Sequence, residues 1–181
     1  GSGSINTDSF ENGIENRMKQ FSYLLSEGYA LIHPIYKSTF ERRDNIKSDY
    51  PNESDEYKNA VIRWGKDYKR AIDYIESRDD MNMDKLSYYG ISWGGSIANI
   101  LLAIDDRVKN SVLNIAGLEF QTCKKEVDKF YYTSRITIPV LMVNGKFDHF
   151  FPLETSQIPR GLYIVEVISD KKRFIFKILK Q

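Results

Sequence analysis

Six consecutive residues, Gly90-Ile91-Ser92-Trp93-Gly94-Gly95, place a serine between glycines in the spacing G-x-S-x-G. Strand-forming residues, Leu86-Ser87-Tyr88-Tyr89, lead into them and an apolar helix-forming segment follows, so Ser92 stands at the corner of a strand-to-helix turn. A corner that sharp brings the residues two before and two after the serine together, which accounts for Gly90 and Gly94; Gly95 lets the helix approach neighbouring strands. The position suits attack on a carbonyl carbon. The dipole and free N–H groups of the helix start favour negative charge developing on the carbonyl oxygen, with Trp93 N–H as one donor. An ordinary serine N-cap on a glycine-rich turn is the competing reading.

A serine hydroxyl is a poor nucleophile until a base takes its proton. After Pro139-Val140-Leu141-Met142-Val143-Asn144 the chain turns through Gly145-Lys146-Phe147 to Asp148, a carboxylate just past a strand end and downstream of the serine, in the order Ser, Asp, His. The alternative for Asp148 is an aspartate that only holds its turn. Two histidines exist. His33 precedes Pro34 and lies upstream of Ser92, where it reads as a core or crevice-lining residue. His149 is the remaining candidate base, awkwardly placed because neighbouring side chains on an extended turn diverge.

Residues 14–27 have apolar Met18, Phe21, Leu24 and Leu25 at helical spacing, stopped by Gly28. Residues 29–36 form an apolar run of the kind seen in doubly covered strands. Residues 37–54 are a polar loop expected to overhang the crevice through Glu41, Arg42, Arg43 and Asp44, with solvated surface charge as the blander account. Residues 56–78 predict a long helix whose buried face is Tyr57, Val61, Trp64, Tyr68, Ile72 and Ile75. Strands follow at 85–91, 108–116 and 139–144, with a helix at 94–104 and mixed structure at 117–138. This alternation predicts an α/β domain, a mostly parallel sheet with helices on both faces and a ligand crevice at the strands' carboxyl ends.

The 181 residues, 41% hydrophobic and 28% charged, suit a single domain spanning 1–181. A net charge of +1 leaves no footprint for nucleic acid. The longest apolar stretch, 97–104, is interrupted by Asn99 and far shorter than the roughly 20 residues of a membrane span, so no membrane partner is expected. A single cysteine, Cys123, rules out an internal disulfide and a cysteine-built metal site, and reads as a half-buried hydrophobe in a loop. Neither a metal nor another cofactor is expected.

Taken in order, several segments resemble α/β-hydrolases of the acetyl xylan esterase, dienelactone hydrolase and prolyl oligopeptidase type, including bacterial members found with protein-kinase domains. They are Gly1-Ser2-Gly3-Ser4-Ile5-Asn6, Pro34-Ile35-Tyr36-Lys37-Ser38-Thr39-Phe40-Glu41-Arg42, the stretch 84–95 around the elbow, the stretch 138–148, and Phe151-Pro152-Leu153-Glu154-Thr155-Ser156-Gln157. Together they cover residues 1 to about 159.

The resemblance implies that Ser92 is the nucleophile, Asp148 the triad acid, and the opening Gly-Ser-Gly-Ser a native loop whose Ser4 or Gly3 supplies the second oxyanion N–H. It also implies strands before that loop, and a Gly-His pair carrying the general base after a last strand. Residues 172–178 read as that strand, yet no histidine follows before Gln181. Truncation, a shifted reading frame and genuine loss each produce this. The expectation is therefore a partial α/β-hydrolase domain, incomplete at both ends, with an open sheet edge prone to pairing. Its implied activity is hydrolysis of a carboxylic ester or peptide bond in a small molecule or peptide, through an acyl-enzyme at Ser92. A catalytically silent binding module is the alternative. Oligomeric state and compartment stay open.

Overall fold

The computed structural model describes residues 2–145, 148, 151, 161–169 and 172–180, the last two stretches as backbone only. Strands β1 (Ser87–Ile91), β2 (Asn110–Asn114), β3 (Val140–Val143), β4 (Gly161–Ser169) and β5 (Lys172–Lys180) lie side by side in that order. The first four run parallel and β5 runs antiparallel to β4. Helices are α1 (Ile14–Gln20), α2 (Ser22–Ser26), α3 (Asp55–Glu76), α4 (Trp93–Leu101) and the short α5 (Phe130–Thr133).

Helix α3 starts where Ser54 Oγ accepts the Tyr57 N–H at 3.1 Å, with Asp55 and Glu56 favourably placed in the first turn. It buries Tyr57, Val61, Trp64, Tyr68 and Ile72, the stripe expected from the sequence, whereas Ile75 stays outside that core. Trp64 is fully buried, its ring edge-on to Trp93 with centroids 4.9 Å apart. Truncating it to alanine would cost about 3–5 kcal/mol. Successive strand residues face opposite sides of a sheet. Tyr88 meets Tyr68 of α3, while Tyr89 meets Phe21 at the junction of α1 and α2, so helical segments cover both faces of β1.

Three expectations change. Residues 29–36 are not a strand: among the described residues no strand runs beside them, and the chain at the end of the run is held by side chains instead. Arg42 donates to the Ile35 carbonyl at 2.7 Å, and Asp67 accepts the Lys37 N–H at 2.6 Å. The helix expected over 14–27 breaks at Phe21, which turns its ring onto Tyr89; helices this short depend on packing more than on their own ladder. The strand expected at 172–178 extends over 172–180 and pairs antiparallel with β4, which the sequence reading overlooked. Ser169 sits opposite Lys172, with two residues between the paired ends, a connection length that favours an antiparallel hairpin.

Candidate functional site

Ser92 is the one residue between β1 and α4. Its backbone lies at φ 52°, ψ −116°, a conformation that L-residues avoid. Two hydrogen bonds hold it there: Ser92 N–H donates to the Asn114 carbonyl at 2.9 Å, and Ser96 N–H donates to the Ser92 carbonyl at 2.8 Å. The hydroxyl does not cap the helix and has no hydrogen-bond partner among the described residues. That departs from an ordinary serine N-cap. Trp93 begins α4, so its N–H has no intrahelical acceptor.

The surrounding packing explains two of the three glycines. A Cβ on Gly90 would sit 2.6 Å from the Gly94 carbonyl oxygen, and one on Gly95 would sit 2.5 Å from the Ala116 Cβ. At Gly94 the nearest atom would be the Tyr88 hydroxyl at 3.9 Å, so the crowding expected there is not found. Tyr88 donates to the Gly94 carbonyl at 2.7 Å, its phenol kept protonated by burial.

Asp148 Oδ1 accepts the Phe151 N–H at 2.9 Å, a contact that shapes the turn after β3. Ser4 lies in a single 3₁₀ turn, Ser2–Ile5, whose Ile5 belongs to the same buried core cluster as Trp93. His149 falls outside the described residues, and so do Gly1, Lys146, Phe147 and the resembling stretch 152–157. His33 is neither a core residue nor bonded to the elbow: its ring packs on Phe10 at 4.9 Å, with the Arg17 guanidinium over Phe10 at 4.5 Å. Burial first, then nearby positive charge including Arg17, lowers its pKa to about 4.

The charged loop does not stand free over the site. Glu41 accepts from Ser9 Oγ and Phe10 N–H, Arg43 pairs with Asp8, Arg42 pairs with Asp67, and Asp44 accepts from Ser38 and Ile46. These contacts tie the loop to the N-terminal segment and α3. Cys123 is half-buried, its thiol pushed up to about 11 chiefly by burial.

Sequence reasoning missed two polar arrangements. Asn144 donates to the Ala116 carbonyl at 2.7 Å and accepts the Ala116 N–H at 3.0 Å, bridging the ends of β2 and β3. Beneath the elbow, Ser96 Oγ donates to Glu119 at 2.5 Å, while Lys129 Nζ donates to Ser96 Oγ at 2.7 Å and to both Glu119 oxygens at 2.6 and 2.7 Å. The polar residues Ser96 and Asn99 inside an apolar helix were the available signal; nothing marked Glu119 or Lys129.

The dienelactone hydrolase family model matches residues 9–166. Over 89 residues the chain is 32% identical to "Putative hydrolase YtaP" of Bacillus subtilis (strain 168), an alignment taking in 48% of this chain and 29% of that protein. The family match includes the elbow, strands β1 to β3 and Asp148, and the chain belongs to the dienelactone hydrolase family, with its α/β-hydrolase fold.

Proposed function

We propose that Ser92 is the nucleophile of a hydrolase acting on a carboxylic ester or peptide bond. Its hydroxyl oxygen would bond to the acyl carbon, the alcohol or amine would leave with a proton, and water would then release the acid and restore the serine. Trp93 N–H and a second donor from Ser4 would stabilise the oxyanion, and Asp148 would serve as the acid of the relay. The observation that carries this reading is the strained, uncapped serine at the start of α4. Strain of that kind persists where the surroundings enforce it, and it gathers at functional sites.

A fluorophosphonate probe tests the proposal. Labelling of the folded chain that vanishes in Ser92→Ala is the expected result; labelling that survives the substitution would assign the reaction elsewhere. A silent binding module is the second reading, favoured by the position of His33 in an aromatic cluster with Arg17. Absence of labelling in a chain that melts cooperatively would select it.

A further inference from the structure

We infer that Lys129 and Glu119 are positioning residues for Ser92, acting through Ser96; the inference rests on the proposed role of Ser92. Ser96 is fully buried, Lys129 is 4% exposed, and the Lys129–Glu119 pair closes a triangle on the Ser96 hydroxyl. The Ser96 backbone N–H in turn holds the Ser92 carbonyl, so one residue joins the buried ion pair to the strained elbow. Asn99, one turn further along α4, donates to the Gly117 carbonyl at 3.3 Å and accepts from Thr133 at 3.2 Å. The segment carrying Glu119 and Lys129 is therefore fastened to the same helix at two successive levels.

A buried ion pair is a poor device for stability alone, since apolar residues of similar volume often serve as well or better. It does fix direction. Three donors on one ammonium and two oxygens on one carboxylate leave the Ser96 side chain a single orientation, and with it the first turn of α4. Small displacements of a reacting atom are costly: about 1 Å can slow a reaction 100-fold.

The test compares wild type, Ser96→Ala, and the double variant Lys129→Met with Glu119→Leu, measuring melting temperature and the saturating rate constant and half-saturation concentration for fluorophosphonate labelling. Both variants are expected to fold and to label about tenfold more slowly or worse, with the half-saturation concentration little changed. Ser96→Ala keeps the ion pair and cuts only its tie to α4, so it decides the matter if the double variant fails to fold. A folded Ser96→Ala protein labelled at the wild-type rate would overturn the inference. If wild type is not labelled at all, the nucleophile reading has failed, and the amide resonances of Ser92 and Trp93 become the readout. Shifts there in Ser96→Ala larger than along the rest of α4 support positioning; unchanged resonances overturn it.

Discussion

At Gly90 a single methyl group separates a tolerated change from a disruptive one. Its Cβ would lie 2.6 Å from the Gly94 oxygen and 2.8 Å from the Gly94 carbonyl carbon, both backbone atoms that cannot swing aside. Relief would have to come from the turn that holds Ser92 at φ 52°. Gly90→Ala is therefore expected to lower stability by at least about 2 kcal/mol in urea unfolding and to slow fluorophosphonate labelling. Gly94→Ala is expected to do neither to a comparable degree, because the nearest atom would be 3.9 Å away and alanine is the better helix former. Equal losses in the two variants would show that the elbow is not packed as described. The motif's two flanking glycines look equivalent in the sequence; only their packing separates a close backbone approach from an open position.

Between elements, α4 closely approaches the chain just past β2, where a Gly95 Cβ would meet the Ala116 Cβ at 2.5 Å. Gly95→Ala is expected to destabilise by about 1–3 kcal/mol, and Ala116→Gly in the same chain to recover part of that loss, giving a measurable coupling in a double-mutant cycle. Strict additivity would rule out direct contact at this crossing. The elements around this crossing were legible in the sequence because local pattern and tertiary placement agree: the aromatic stripe of α3, the apolar run of α4 and the strands leading to Ser92 and Asp148 each read correctly in kind. Residues 29–36 misread because a hydrophobic run specifies burial without specifying a partner, and a strand needs a ladder. The Ser96–Glu119–Lys129 triangle was illegible for a related reason: it joins residues up to 33 positions apart, and surface-type residues carry no periodic mark when they turn inward.

Across the whole molecule, the N-terminal segment is held to the charged loop by Glu41 and Arg43 and by the aromatic cluster of Phe10, His33 and Phe40. His33 makes this region sensitive to acid. Well above pH 6.5 the imidazole is neutral in folded and unfolded chains and contributes no pH dependence. As pH falls from 6.5 towards about 4, the unfolded chain takes up a proton that the folded chain does not, so stability declines; below about 4 both states hold the proton and this loss stops growing. Part of the residue remains open to solvent, which limits the loss to about 1–2 kcal/mol. The hydrogen bonds that hold the Glu41 carboxylate below its ordinary range add a separate loss as that carboxylate is protonated at lower pH. Thermal melts of wild type and His33→Phe from neutral pH to below pH 4 should therefore differ in slope between pH 6.5 and 4, with the phenylalanine variant the flatter of the two, and run parallel below about 4. An NMR titration placing His33 near its ordinary value, or a His33→Phe protein that keeps the full slope, would show that the aromatic cluster does not exclude the imidazolium.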